Sequence, residues 1–467
     1  MNLSVRDRKD RRYGDSLPVH RATTLHLSAL NPMFLESGLI DPRTGSKVRG
    51  VFRGHIGKNG SGPTFEFDEY QLYQSGILNN ANTKVFGEPN HHKSGDAKCN
   101  VFRGAAVGFN HLVTDRTGEW TAVVNAINSN PHIAAKAKVL KFGEATERDT
   151  QLYINPLDKS MTLKDRSDLL AAMAVTAIGR RNGIEINALE IEERSLLWQA
   201  LVDALNQYGP DDQTGLAIGE ATLPDVVNRL LNPTQNMAEA MRESQEYLRQ
   251  LGRSMALGLL RLTETDLKGM FHRQTTAGIW QDTPLLVMDC QGASGEAAVL
   301  MITLINFFTR SQWSRENPAY RFHKIIHDEA WDLAAYPAFI DSTRESFKQG
   351  GKWGVGNTII AHHMQNLYRS GSSDAVRDLI SDSDVTICYK MDSAELEKSA
   401  GDLELNRSEV SLITDFEPGV ALYKIGSRPG IVVRHEAWPE EKSFVETRGL
   451  MRGQRSPVES DLPRAVQ

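Results

Sequence analysis

Phe322-His323-Lys324-Ile325-Ile326-His327-Asp328-Glu329-Ala330-Trp331 is the stretch whose reading decides the fold. A short strand-like run ends in two adjacent carboxylates, and a helix-like segment follows. In an open α/β sheet, ligands bind just beyond the carboxyl ends of the strands. An Asp at that edge can hold a divalent metal, and a Glu beside it can activate a water. Taken alone, the pair also reads as a solvated helix start, because carboxylates are favoured in a first helical turn.

The usual partner of such a strand is a phosphate-cradling loop, and one lies upstream in altered form. It is Val85-Phe86-Gly87-Glu88-Pro89-Asn90-His91-His92-Lys93-Ser94. A GxxxxGKS loop closes backbone N–H groups around phosphates, and its glycines supply positive φ with no Cβ in the way. Gly87, Lys93 and Ser94 fit that spacing. His92 stands where the last glycine belongs, and Asn90 where a middle glycine is common. Asn tolerates left-handed backbone; His is less suited to it, and its ring is expected to crowd the phosphates. The bland alternative is an ordinary polar loop. His91, His92 and Cys99 do not make a zinc site, since no clear fourth ligand stands at the right spacing.

In a working site, charge sets the roles. Lys93 pairs with the β- and γ-phosphates, Ser94 and Asp328 hold Mg²⁺, and Glu329 orients and deprotonates the attacking water. Ile359-Ile360-Ala361-His362-His363 is a further strand ending in polar residues, and His362 is placed to touch the γ-phosphate. The alternative there is a surface histidine pair. Arg344 and Arg407 are candidates for reaching a neighbouring subunit's nucleotide, or else lie on solvated faces.

Outward from these motifs, short apolar runs recur. They are Thr83–Gly87, His111–Asp115, Lys136–Gly143, Pro284–Asp289, Phe322–Asp328, Asn357–His362, Asp384–Met391, Gly419–Gly426 and Ile431–His435. Helical patterns between several of them predict a mostly parallel sheet. The last two runs suit a terminal hairpin. Residues 160–274 break the alternation: Leu163–Ile178, Ile191–Tyr208 and Met237–Leu262 carry apolar residues at helical spacing. Leu223-Pro224-Asp225 and Asn232-Pro233 mark a helix start and stop. The predicted division is an amino-terminal arm with a small β/loop region (1–64), the first part of the sheet domain (65–159), an all-helical insertion (160–274), the second part of the sheet domain (275–451) and a disordered tail (452–467).

The chain has 467 residues, 40% hydrophobic and 24% charged, with formal net charge −6. That balance is ordinary for a soluble globular protein and supplies no global attraction to nucleic acid or anionic lipid. Cys99, Cys290 and Cys388 are far apart and odd in number, which points to reduced thiols in a cytoplasmic protein. No secretory leader is visible. The longest apolar run, Ala297–Phe308, falls short of the roughly 20 residues a bilayer span needs and reads as a buried helix.

Taken together, these residues resemble the type IV secretion ATPases of conjugative DNA transfer (Vir/Tra-type), close to the shorter actinobacterial-type forms. The resemblance runs in order from about Leu25 to Met451. It takes in Phe65-Glu66-Phe67-Asp68, Asn80-Ala81-Asn82 and the phosphate loop. Val113-Thr114-Asp115-Arg116-Thr117-Gly118-Glu119-Trp120 is similar to the family's strand ending Asp-Pro-Lys-Gly-Glu-Tyr. Ile154-Asn155-Pro156-Leu157-Asp158, His327-Asp328-Glu329-Ala330-Trp331, Ala361-His362-His363-Met364-Gln365-Asn366-Leu367 and Asp402-Leu403-Glu404-Leu405 follow.

The resemblance implies an α/β, RecA-like P-loop NTPase fold with a mostly parallel sheet and an all-helical insertion. It implies ATP and Mg²⁺ as cofactors and assembly into a homo-oligomer, often a hexamer. It also implies a place in the cytoplasm, at the inner face of the cell membrane against membrane-embedded secretion channel proteins, with DNA or protein cargo. His362 matches the family's sensor position. The departures are Asn90 and His92 in the loop, Arg116 and Thr117 in the Asp115 block, and Gly351-Lys352-Trp353-Gly354 where the family often has Arg-Lys-Tyr-Gly. A lost trans-acting arginine alone can slow turnover by about 10³–10⁵. Two alternatives therefore stand beside a working motor: a structural subunit that has lost hydrolysis, and a related DNA translocase using the basic arm and the Arg249–Arg261 helix surface.

Overall fold

The computed structural model describes residues 51–445 except 134, 142–152, 182–183, 187, 209–220, 266, 277–282, 292, 294, 314–321, 330–336, 363 and 365–372. The amino-terminal arm and the tail therefore lie largely outside the described residues.

Among the described residues eleven strands form one sheet: β1 (Val51–Ile56), β2 (Thr64–Phe67), β3 (Thr83–Phe86), β4 (Asn110–Asp115), β5 (Lys138–Lys141), β8 (Leu285–Asp289), β9 (His323–Asp328), β10 (Val355–Ala361), β11 (Val385–Cys388), β12 (Val420–Ile425) and β13 (Ile431–His435). A separate two-stranded ribbon, β6 (Arg180–Arg181) and β7 (Ile184–Glu185), lies between helices. The order across the sheet is β2-β1-β13-β12-β11-β3-β10-β9-β4-β8-β5. From β5 to β11 every pairing is parallel; from β11 to β2 every pairing is antiparallel. Each apolar run read from the sequence is a strand here, and the last two form the expected hairpin.

The parallel strands are buried on both faces, as parallel strands require. All seven residues of β10 are buried. Neighbouring residues serve opposite cores: Leu286, Met288 and Ile325 face one, while Leu285, Val287 and Ile326 face the other. The first core includes helices Gly295–Trp313 and Leu163–Ile178. The second includes helices Lys93–Ala106 and Thr121–Ser129. Ala297–Phe308 lies inside the buried helix Gly295–Trp313, and among the described residues no helix is long and apolar enough to cross a membrane.

Between β5 and β8 the described residues are mainly helical. Leu163–Ile178 starts at Thr162, whose hydroxyl accepts from the Asp165 N–H. Leu223–Leu231 carries Pro224 in its first turn, where a missing N–H costs nothing. The run read as one helix from Met237 to Leu262 is two, Gln235–Met241 and Gln245–Glu264. Arg242 turns left-handed at φ 57°, and the Ser244 hydroxyl caps the second helix at the Tyr247 N–H. The insertion's entry and exit are zipped together. Tyr153 and Asn155 N–H groups donate to the Thr276 and Thr275 hydroxyls, and the Thr276 N–H donates back to the Tyr153 carbonyl.

The segment before residue 65, read as an arm with a small β/loop region, contributes more than that. β1 is hydrogen-bonded between β2 and β13 and is integral to the sheet.

Candidate active site

Register brings the functional strand ends level. Phe86 of β3 pairs with Ala361 of β10, Ile360 of β10 with Asp328 of β9, and Asp328 with Asp115 of β4. Gly87, His362 and Glu329 are the residues just beyond, so three loops converge on one carboxyl edge.

The loop after β3 leaves at Gly87, with φ at +152°. A Cβ there would sit 2.5 Å from the Tyr389 Cβ, because the end of β11 lies against it. The Glu88 N–H donates to the Lys390 carbonyl and seals that contact. Asn90 and His92, the two substituted positions, hold left-handed backbone at φ 72° and 69°. The backbone that glycines normally provide is thus retained by Asn and His. The ring of His92 turns away from the loop interior. It is exposed, and its Nδ1 would lie 3.7 Å from a Cβ on Gly95, along the flank of the helix.

Helix Lys93–Ala106 starts at once after His92, and its first turn offers unsatisfied N–H groups and the positive end of the helix dipole. The Lys93 ammonium is folded into the loop. It donates to the carbonyls of Gly87 (2.6 Å) and Glu88 (2.8 Å) and lies 2.8 Å from Nδ1 of His362. With Lys93 donating, Nδ1 of His362 accepts, so the ring proton sits on Nε2. That nitrogen lies 2.5 Å from Oε1 of Glu329. Glu329 itself holds left-handed backbone at φ 57°. A continuous chain therefore runs Lys93–His362–Glu329, joining three strand ends.

The Ser94 hydroxyl donates to Oδ1 of Asp328 at 3.2 Å. The other carboxylate oxygen, Oδ2, accepts from the indole N–H of Trp120 at 2.9 Å. Asp328 is buried, and loss of solvent pushes its carboxyl up to about 6; the Trp120 hydrogen bond and Lys98 pull the other way, while Glu329 and Asp115 add to the rise. A buried carboxylate pair of this kind favours a cation arriving beside it.

Asp115, at the end of β4, does not face the loop. Its Oδ1 accepts from the N–H groups of Thr117 and Gly118 and from the Thr117 hydroxyl, and its Oδ2 from the Trp120 N–H. It is a turn-builder. Lys98, buried in the phosphate-loop helix, reaches Glu119 of that turn at 2.8 Å. Arg116 donates towards the carbonyls of Cys290 and Ala293 beyond β8.

Two candidate arginines have other duties or places. Arg344 pairs with Asp378 of its own chain. Arg407 opens helix Arg407–Thr414 and is exposed. The structure thus brings Gly87, Lys93, Ser94, Asp328, Glu329 and His362 together, and does not bring Arg344 or Arg407 into direct contact with them. Sequence reasoning quoted Trp120 only as part of a motif; its aromatic character after a strand-end Asp gave no sign of a bond to Asp328.

No protein-family model matches the sequence, and no curated protein matches it. Solved structures do. VirB4 of Thermoanaerobacter pseudethanolicus superposes with a TM-score of 0.60, over 85% of this chain and 99% of that one, at 18% identity. The chain has the fold of VirB4. The plasmid coupling protein TrwB in complex with ADP and Mg²⁺ follows, with a TM-score of 0.53 over 86% of this chain and 92% of that one, at 14% identity. TrwB with the ATP analogue ADPNP gives 0.53 at 13% identity. The VirB4 and TrwB fold is RecA-like, and the mostly parallel sheet with its helical insertion shares that fold.

Proposed function

We propose that this chain is an ATP-driven motor subunit of a type IV secretion or conjugative transfer machine. One observation carries the reading: the Ser94 hydroxyl, in the first turn of the helix that follows β3, meets the Asp328 carboxylate at the end of β9, two strands across the sheet. The fold it shares with VirB4 and with a coupling protein solved with ADP and Mg²⁺ supports it.

The residues present fit Mg-ATP. Ser94 and Asp328 are hard oxygen donors, the set that suits Mg²⁺ when phosphate oxygens and waters complete it. Lys93 already donates to two carbonyl oxygens, as an ammonium donates to phosphate oxygens. The bound metal would supply charge neutralisation across the β- and γ-phosphates. Gly87 and the N–H groups of the loop would bind, and Lys93 would orient, the phosphates. Glu329 would position a water and take its proton, with its carboxylate held by Nε2–H of His362. All three Lys93 donors are engaged, so serving a phosphate would cost one of these contacts; giving up the one to His362 would link an engaged loop to the freedom of Glu329.

A structural subunit without hydrolysis is less favoured, because Lys93, Ser94, Asp328 and Glu329 are all in register and the loop keeps its left-handed positions. The DNA-translocase alternative gains little from Arg249–Arg261: Arg249 pairs with Glu246 and Arg261 with Glu296. In this reading residues 65–159 and 275–451 form one nucleotide-binding domain, with β1 taken into its sheet between β2 and β13, and 160–274 are its insertion. Residues 1–64 otherwise form an arm, and 452–467 a tail. Its partners are further copies of itself, a hexamer being the form the resemblance implies, and membrane-embedded channel proteins at the inner face of the cell membrane. DNA or nucleoprotein is the cargo class.

The test is calorimetry of Mg-ATP on the wild type and Lys93→Ala, with phosphate release measured in the same buffer. Binding that needs Lys93 and turnover lost in Glu329→Gln are expected. No binding at millimolar ATP by folded protein would reduce the chain to a structural descendant of a motor.

A further inference from the structure

The turn after β4 does something that its sequence does not explain. Asp115 spends both oxygens on it, accepting four hydrogen bonds from Thr117, Gly118 and Trp120. Gly118 stands at φ +77°, and a Cβ there would meet Oε1 of Gln291 at 2.5 Å. Lys98 ties the same turn to the phosphate-loop helix through Glu119. The outcome is a fixed position for one side chain, that of Trp120, which is fully buried and begins helix Thr121–Ser129.

We infer that Trp120 is a positioning residue for the metal-holding carboxylate: its indole N–H takes Oδ2 of Asp328 and leaves Oδ1, beside Ser94, as the oxygen offered to the metal. The geometry is a 2.9 Å bond on one side of the carboxylate and a 3.2 Å bond on the other. A carboxylate has two oxygens and can turn about its own axis. With one oxygen fixed to a buried donor it presents the other from one direction only. An indole N–H carries no charge and cannot be exchanged for water in a closed core, so this bond persists through turnover where a lysine or a water would compete with the metal. Partners of this kind, one step behind a metal ligand, typically change metal affinity 10–100-fold when removed.

The inference rests on the nucleotide site proposed above. The experiment compares ADP binding across a Mg²⁺ titration, in the wild type, Trp120→Phe and Trp120→Tyr. Trp120→Phe is expected to raise the Mg²⁺ concentration for half-maximal binding by about 10–100-fold, while ADP affinity in EDTA changes by less than about 3-fold. Trp120→Tyr keeps a donor at the end of the ring and is expected to recover part of the loss. An unchanged Mg²⁺ requirement in Trp120→Phe, with ADP still bound, overturns the inference alone. Absence of Mg-ADP binding in the wild type overturns both it and the function reading.

A second readout needs no folded Phe variant. In ¹⁵N-tryptophan-labelled protein, the indole resonance missing from Trp120→Tyr should move in Asp328→Asn. It should also move between ADP with EDTA and Mg-ADP. A resonance indifferent to both sinks the inference.

Discussion

At residue scale, Gly87, Asn90 and His92 show how little a motif says when read letter by letter. Gly87 is irreplaceable for two reasons, positive φ and the 2.5 Å approach of Tyr389. Gly87→Ala should therefore lower stability by at least about 2 kcal/mol and abolish ADP binding, read by urea denaturation and calorimetry. Asn90 and His92 look like damage in the sequence, yet both hold the backbone a glycine would hold. Neighbours impose it: the His92 carbonyl accepts from the Asp96 N–H as the helix begins, and Lys93 gathers the Gly87 and Glu88 carbonyls. Left-handed backbone costs an L-residue roughly 1–2 kcal/mol, and a glycine returns about 0.4–1 kcal/mol of that as unfolded-state entropy. His92→Gly should thus raise stability by about 0.5–1 kcal/mol, and ADP affinity should rise with it. A His92→Gly protein with a lower urea midpoint would show that the ring contributes contacts beyond its backbone. His362 is the third informative residue. His362→Ala should lower turnover on the order of 10²-fold by freeing Glu329, whereas His362→Gln, which can accept and donate across the same gap, should stay far closer to the wild type in a phosphate-release assay.

At the scale of elements, helix Lys93–Ala106 is held at both ends, and only the first was legible. Its start could be read from Lys93-Ser94. Its far end is fixed by Arg103, which donates to the Glu441 carboxylate and to the carbonyls of Phe52 and Glu436, and stacks 4.2 Å over Trp438. Those partners lie 51 to 338 residues away in sequence, and no periodicity could have paired them. Arg103 and Glu441 are both buried, at 2% and 0% side-chain exposure. Removing one charge leaves the other stranded, so Arg103→Ala should cost about 3–5 kcal/mol. Arg103→Met with Glu441→Leu should recover most of it, because two apolar side chains can replace a buried pair at little net cost. A double variant no more stable than Arg103→Ala would mean the aromatic stack, not the ion pair, is what anchors the helix. The family-like blocks Asn80-Ala81-Asn82 and Ile154-Asn155-Pro156 prove to be framework of the same sort. Asn82 donates to the Phe347 and Asp382 carbonyls and accepts from Asn357, and Asn155 donates to the Ala221 carbonyl and Gln274 at the mouth of the insertion. Their place in the resemblance was visible; their work as clamps was not, because hydrogen-bond partners leave no local pattern.

For the whole molecule, the parallel half of the sheet was readable because burial on both faces writes continuous apolar runs. The antiparallel extension was only partly so: β1 and β2 are short and carry Arg53, His55 and Glu66 among their apolar residues. Folding this sheet around the helices buries titratable groups of both signs, and that sets the pH dependence of stability. Burial lowers His111 to about 3, His327 to about 4 and His435 well below its ordinary value. Burial raises Asp96 to about 8 and Asp328 to about 6. Between about pH 4.5 and 6 the unfolded chain takes up three histidine protons that the fold refuses, while the fold keeps two carboxyl protons that the unfolded chain sheds. The balance is one proton in favour of unfolding, so stability should fall by about 1.4 kcal/mol per pH unit towards acid. Above about pH 7.5 the histidines are neutral in both states and Asp96 remains. Its folded-state proton stabilises below pH 8 and is lost as pH rises through it, so stability should decline again by a similar slope. Asp96 faces Tyr389, His435, Arg103, Arg53 and Glu441, and the two arginines limit how far it rises. Urea midpoints from pH 4.5 to 9, without nucleotide or Mg²⁺, should therefore peak near pH 6.5–7. Asp96→Asn should flatten the alkaline side alone. A wild-type curve that climbs steadily through pH 8 would mean that Asp96 is ionised in the fold and paired with Arg53 or Arg103, which would make it an electrostatic strut under the phosphate loop instead of a proton carrier.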